Sequence, residues 1–390
     1  MGSVTVGIWP NRLVMGECSL NALPGVLADL GVRRAFVVCG RTVADGPLLQ
    51  RVRQSLGARY AGVFDKVVSH TPLTMVQEAL AAIRAANADA IISVGGGSAI
   101  DAGKGLALLS TAGDEHAKYC VDQDAQGVLH QARLPAPKIP HIAIPTTSGS
   151  ASEVMPTAGI RDLAQRRKLL FWDDALTPDA VILDPEMAIH TGPFLTAASG
   201  MTAVARCVES LYSASRNPLA EGLALHALRL LYRNLPVVVV EPHNLQARFE
   251  CQVACAMSGI AAINSMVSVV HALGHIVGGK YGLQHGVSHA ILLAPSMRRM
   301  LPIIGEGQRD VLEALGGDRS VPADEAGAAA ADRIQVLVAS LPLNPRLRDL
   351  KIGEDELPDI ARQAASDYMM INLPRPMPVP EIEALLRSAW

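Results

Sequence analysis

Neither sign of charge dominates this chain: 34 Lys and Arg stand against 37 Asp and Glu, a formal net charge of −3 over 390 residues. There is thus no basic field to attract nucleic acid or an anionic membrane. Aromatic residues are scarce at 4%, which argues against the stacking platforms that hold single-stranded bases. No uninterrupted apolar run reaches the roughly 18 residues of a membrane span. The opening MGSVTVGIWPNRLVMG lacks the basic start, apolar stretch and small-residue cleavage site of an export signal. Six cysteines (Cys18, Cys39, Cys120, Cys207, Cys251 and Cys255) make no disulfide framework in a chain this long. Cys251 and Cys255 lie one helical turn apart, but no second Cys/His pair stands near to complete a zinc cage. These absences lead us to expect a soluble cytoplasmic protein with reduced thiols, whose partner is a small molecule and neither nucleic acid nor membrane.

What is present is apolar and well punctuated: 49% hydrophobic residues, 33 glycines and 25 prolines, enough for two domains. The first half alternates β-rich runs (Arg34–Cys39, Tyr60–Val68, Ala88–Val94, His141–Pro145, Ala180–Leu183) with helical stretches (Pro47–Leu56, Met75–Ala86 and a helix from Ser98). Alternation at this pitch predicts a parallel sheet covered by helices on both faces. Beyond Asp184-Pro185 the β-rich runs almost vanish. Phe194–Ser213, Leu219–Asn234, Leu245–Asn264, Val267–Gly278 and Asp324–Ser340 all read as helix. We therefore expect an α/β domain over 1–187 and an all-α domain over 188–390.

Gly95, Gly96, Gly97 and Ser98 follow a buried strand and open a helix. Glycines let the backbone approach a ligand, and the helix N-terminus favours a phosphate there. Ser98 and Asp101 also fit a capping box. A plain capped turn would explain the loop too, since the spacing is not the dinucleotide fingerprint G-x-G-x-x-G. A second loop, Pro145-Thr146-Thr147-Ser148-Gly149-Ser150, follows another strand and offers hydroxyls from a neighbouring strand end. Two such loops strengthen the nucleotide reading.

GGGSAIDAGK followed by IPTTSGSASEV, and then HALGH and HG spaced nine residues apart, resembles the iron-containing (group III) alcohol dehydrogenase family over nearly the whole chain. The resemblance implies a Rossmann-like front domain and a helical second domain. It implies that Gly95, Gly96, Gly97 and Ser98 hold the NAD(P) pyrophosphate, with Thr146 and Thr147 on the adenine side. Asp101 would lie by the nicotinamide end, and Lys168 would contact the cofactor, unless it belongs to a solvated basic face. NAD or NADP is the implied cofactor, and a homodimer the implied assembly.

The family's metal is held by an Asp and a His one helical turn apart and by two further His. Here the second pair stands as His271 and His285, but the first positions hold Thr202 and Arg206. A guanidinium cannot ligate a cation and would repel it. We therefore expect no metal. Thr202 with Arg206 restores the positive charge that an aspartate and a divalent ion would give. Arg206 could then polarise a substrate carbonyl or clamp a carboxylate, unless it swings outward to the surface. Metal-free relatives resemble maleylacetate reductases, and His289 in HGVSHA, beside the VVSHTP tract, leans that way; Asp101 leans towards the alcohol dehydrogenases. His275 suits proton transfer. His70, His116, His130, His141, His190, His226 and His243 have no comparable constellation and read as structural or surface residues.

The expected activity is hydride transfer from NAD(P)H to a small, carboxylated carbonyl or enone, with His275, Arg206, His271 and His285 catalytic and Thr202 and His289 near the substrate. Alternatives are a metal-dependent alcohol dehydrogenase with an altered site, or a lyase or cyclase like dehydroquinate synthase. Strand Arg34–Cys39 ends in Gly40-Arg41 without an acidic residue, so NADPH is expected to be accepted at least as well as NADH.

Overall fold

The computed structural model describes Gly7 and residues 12–123, 129–135, 138–165, 167–344 and 346–390. The chain divides into two compact units, one α/β (Ile8–Thr147 with Ala151–His190) and one helical (Thr191–Trp390 with Ser148–Ser150 and Met1–Gly7).

In the α/β unit, β1 (Leu13–Met15), β2 (Ala35–Cys39), β3 (Tyr60–Phe64), β4 (Ala90–Gly95), β7 (His141–Pro145) and β10 (Ala180–Leu183) form a parallel sheet in the order β1-β10-β7-β4-β2-β3. Two antiparallel pairs complete the strands: β5 (Asp122–Gln123) with β6 (Leu129–His130), and β8 (Thr157–Asp162) with β9 (Arg167–Trp172). Strands β2, β4, β7 and β10 are buried throughout, as their continuous Val/Ile/Ala runs require. Their side chains alternate between two cores. Val37 and Ile92 pack with α1 (Leu23–Asp29) and α3 (Pro47–Leu56) on one face. Phe36, Val38 and Ile91 pack with α4 (Leu73–Ala85) and α5 (Gly97–Ala112) on the other. A short α2 (Arg41–Ala44) leaves the end of β2. The strand order reverses between β2 and β4, and a parallel sheet binds its ligand at the carboxyl ends of such strands.

The helical unit contains α6 (Pro193–Tyr212), α7 (Pro218–Val240), α8 (Leu245–Ser265), α9 (Val269–Tyr281), α10 (His285–Met300), α11 (Gly307–Ala314), α12 (Ala323–Ala339), α13 (Leu357–Ala365) and α14 (Val379–Ala389) around one core. By length and composition alone α7 could cross a membrane. Here its Ala224, Leu228, Leu231 and Leu235 lie fully buried in that core.

Sequence alone put the division at 187/188. The main changeover falls between His190 and Thr191, and Ser148–Ser150 belong with the helices. The reason is Arg206 on α6, whose guanidinium hydrogen-bonds the carbonyls of Gly149 and Ser150.

Candidate active site

The glycine loop is built as a close-approach turn. Gly95 ends β4 at φ +150°, a conformation that side chains avoid, and a Cβ there would come 2.8 Å from the Ala99 methyl. Gly96 is the residue before the first turn of the 16-residue α5, so the expected Ser98–Asp101 capping box is absent. Ser98 lies inside the helix, and Gly96 leaves the terminal N–H groups without a side-chain cap. The first turn carries no acidic residue to compete with an anion. The threonine loop lies alongside: Thr146 N donates to Gly95 O at 3.0 Å, and a Cβ on Gly96 would stand 3.3 Å from Thr147 Cγ2. Uncapped terminal N–H groups and two buried threonines at a strand-order reversal fit a dinucleotide pyrophosphate.

Asp101 is wired inward. It accepts hydrogen bonds from Ser152 Oγ and, at 3.2 Å, from Gly159 N, and lies 3.9 Å from Lys104 Nζ. Lys104 is wholly buried, donating to Ser152 Oγ (3.0 Å), Met155 O (2.8 Å) and Thr157 O (2.6 Å). Burial pushes its ammonium down to about 8, with Asp101 and Glu153 opposing that shift. Sequence reading missed Lys104, although it stands one turn beyond Asp101 in GGGSAIDAGK. Lys168 is exposed on β9, its stem lying over Gly159.

At the end of β2, Gly40 precedes α2, and Arg41 Nη1 pairs with Asp65 Oδ2 at 2.7 Å. The expectation of a strand end without a carboxylate is therefore corrected. Asp65 arrives just after the neighbouring β3, where no single-strand reading would place it.

In the helical unit, His271, His275, His285 and His289 gather from α9 and α10. Ring centroids are 4.3 Å apart for His271–His289, 6.0 Å for His275–His285 and 6.1 Å for His285–His289. The start of α10 reaches this position because residue 286 is glycine; a Cβ there would overlap Ala198 O on α6. Thr202, on the same face of α6, returns its hydroxyl to Ala198 O at 3.4 Å.

The organising residue of the cluster is Glu209, one that sequence reading did not single out. It is fully buried on α6. One carboxylate oxygen accepts from Val270 N (2.8 Å), Ser268 N (3.1 Å) and Ser268 Oγ (3.2 Å), which caps the N-terminus of α9. The other accepts from His271 Nδ1. A carboxylate only accepts, so Nδ1 carries the hydrogen and Nε2 is the His271 nitrogen left for a ligand. His275 Nδ1 is similarly 3.2 Å from Asp367 Oδ2. His289 is completely buried with neither ring nitrogen hydrogen-bonded among the described residues. Burial, reinforced by the neighbouring His271, His285, His275 and Arg206, pushes its pKa well below the usual histidine range, so it is neutral.

Arg206 is 4% exposed and neither swings outward nor offers a free fork. Nη1 donates to Ser150 O at 2.6 Å, Nη2 to Gly149 O, and Nε to Ser258 Oγ at 3.3 Å. The expectation of an unencumbered carboxylate clamp is thus corrected: two of its N–H donors hold the loop after the threonines and a third is taken by Ser258 on α8.

A family metal does not fit this donor set. Thr202 and Arg206 stand at two of the four positions, and Arg206 brings a fixed cation bonded to backbone carbonyls. Among the described residues, the His, Cys, Asp and Glu ligand atoms that converge within 4.8 Å in threes are those of Glu17, Cys18 and Glu186, in the other unit.

Residues 10–185 match the family model for the iron-containing alcohol dehydrogenase, and residues 196–390 match that for the C-terminal part of the same family. The 1,3-propanediol dehydrogenase of Klebsiella pneumoniae is 32% identical over 98% of this chain and 97% of that protein. Maleylacetate reductase 2 of Cupriavidus pinatubonensis is 35% identical over 73% of this chain and 70% of its own length. The crystal structure of a 1,3-propanediol oxidoreductase superposes with a TM-score of 0.93 at 29% identity, covering 100% of both chains. The chain belongs to the iron-containing alcohol dehydrogenase family and is an oxidoreductase.

Proposed function

We propose that this protein is a metal-independent reductase that transfers a hydride from NAD(P)H to a small carboxylated carbonyl or enone, in the manner of maleylacetate reductase. The observation that carries this reading is Arg206: a buried guanidinium, bonded to two backbone carbonyls, stands where the family pattern has a histidine ligand. A fixed positive charge there disfavours a metal cation and favours an anionic substrate.

A nicotinamide cofactor on the glycine loop supplies the hydride. The chain supplies the rest. The N-terminus of α5 neutralises the pyrophosphate, and Thr146 and Thr147 line the adjacent strand end. His275, whose Nδ1 lies 3.2 Å from Asp367 Oδ2, exchanges the proton that accompanies reduction. Glu209 fixes the His271 tautomer, which leaves Nε2 for a ligand, and neutral His289 packs against it without adding charge.

Arg41 is already paired with Asp65, so a 2′-phosphate would have to compete with that carboxylate. NADH use is the reading this pair supports, with NADPH accepted only where Arg41 can release Asp65. A soluble cytoplasmic homodimer remains our working assembly, checked by sedimentation. The test of function is oxidation of NADH and NADPH with maleylacetate and with succinate semialdehyde, before and after chelation. Turnover insensitive to chelator supports the reading; turnover that requires added iron or zinc, or a conversion with no net change in nicotinamide absorbance, refutes it.

A further inference from the structure

A histidine sits in the core of the α/β unit, apart from the site residues described above. His141 opens β7 and is wholly buried. Its Nε2 lies 2.7 Å from Ser93 Oγ on β4, and its Nδ1 has no hydrogen-bond partner among the described residues. Helix α5 closes over the ring at Gly103, where a Cβ would come 2.4 Å from Nε2. The helix reaches the ring only because residue 103 is glycine.

This seat suits a neutral imidazole and opposes a charged one. With its hydrogen on Nε2 the neutral ring donates to Ser93 and leaves a bare lone pair at Nδ1. An imidazolium is a double donor, and its Nδ1–H would be buried without an acceptor. The surrounding charges act in the same direction. Burial, then Lys138 ahead of β7 and Lys104 on α5, hold the His141 pKa well below the usual histidine range. Lys104 is itself a cation below about 8. The carboxylate nearby, Asp179, accepts from Lys138 Nζ at 2.5 Å and from His141 N at 2.8 Å. Strand β4 faces the ring with the Ser93 hydroxyl, which carries no charge.

We propose that His141 is an acid-sensitive latch between β7 and α5, whose protonation releases α5 together with the glycine loop at its first turn. A ring freed from its seat takes up a proton near pH 6.5, whereas the seated ring does not. The latch therefore weakens about tenfold per pH unit below about 6.5 and is fully set above it. The consequence for activity, weaker dinucleotide binding in acid, rests on the cofactor reading above; the experiment does not.

The test is hydrogen exchange of the full-length protein read by mass spectrometry, expressed as protection factors from about pH 7.5 to about pH 5. It compares wild type, His141→Gln and the double variant Ser93→Ala with His141→Leu. The glutamine keeps a polar partner for Ser93, and the double variant removes both polar groups together. In wild type, protection of α5 and β7 should fall about tenfold per pH unit below about 6.5. Both variants should lose most of that slope. His70, beside the first turn of α5, also has its pKa lowered, but it is unchanged in every variant and so makes no difference between them. Helices α9 and α10 enclose the neutral His289 and should keep one pH dependence in all three proteins. Wild-type protection of α5 that does not fall in acid overturns the latch. So does an α5 slope that the variants share, or a variant effect seen in α9 and α10 instead. The wild-type profile decides even where a variant fails to fold.

Discussion

The two units of this protein build their functional surfaces from different materials. In the α/β unit the site is mostly backbone: Gly95 at positive φ, the uncapped N–H groups of α5, and a threonine loop tied to Gly95 O. In the helical unit it is made of side chains, with Glu209 on His271, Asp367 on His275, and Arg206 on the loop carbonyls. A backbone site tolerates little change, because only glycine fits its geometry. A side-chain site can exchange one donor for another at fixed spacing and change its chemistry, as Thr202 and Arg206 illustrate.

The contrast is tested most severely at Glu209. Removing a fully buried carboxylate leaves His271 and the amides of Ser268 and Val270 unpartnered. Glu209→Ala should therefore cost about 3–5 kcal/mol in urea unfolding. Glu209→Gln, which keeps the shape, should cost less but should alter the pH profile of turnover, because the His271 tautomer is no longer fixed. Near-wild-type stability and pH profile in both variants would mean that this network does not organise the histidines.

Arg206→Met comes next. It keeps the buried volume but leaves the carbonyls of Gly149 and Ser150 without their charged donor, and should cost about 3 kcal/mol. Arg206→Lys should recover part of this, since an ammonium keeps the charge but cannot span both carbonyls and Ser258 in one plane. Thermal unfolding reads both. An Arg206→Met variant as stable as wild type would break the loop-anchoring role.

The equivalent buried charge in the α/β unit is Lys104, whose ammonium is lowered to about 8 from 10.5 in the unfolded chain. Between those values the unfolded chain holds a proton that the folded chain has released. This group therefore makes stability rise with pH across that window. Lys104→Met should flatten the rise, measured as the difference between wild-type and variant unfolding free energies from about pH 8 to 10.5. A parallel pH dependence in the two proteins would contradict the burial assigned to Lys104.

The smallest effect concerns Arg41. Asp65→Asn should release the guanidinium and shift the NADPH to NADH preference by about tenfold, or about 1.4 kcal/mol. Unchanged selectivity would remove the Arg41–Asp65 pair from cofactor choice.

The same contrast explains what could be read from sequence. Continuous apolar runs marked β2, β4, β7 and β10, and glycine spacing marked the phosphate loop, because both follow from local backbone requirements. The β8–β9 hairpin escaped notice because TAGIRD and RKLLFW carry opposed cations, an arrangement that propensity does not reward. Helix α10 was missed because Pro295 interrupts HGVSHAILLAPSMRRM. Glu209, Asp65 and Asp367 were illegible for a different reason: each acts through a partner 24 to 92 residues away, a distance that no spacing rule spans. Arg206 was legible as a substitution in a metal pattern, but its partners were not, since carbonyls leave no trace in the sequence.

The central claim is that Arg206 has replaced a metal ligand rather than joined a metal site. Metal content of the purified protein, measured together with NADH oxidation before and after chelation, tests it most directly. Substoichiometric metal and unchanged turnover after chelation are the expected result. One iron or zinc per chain, lost together with activity and restored by adding the ion back, would contradict it.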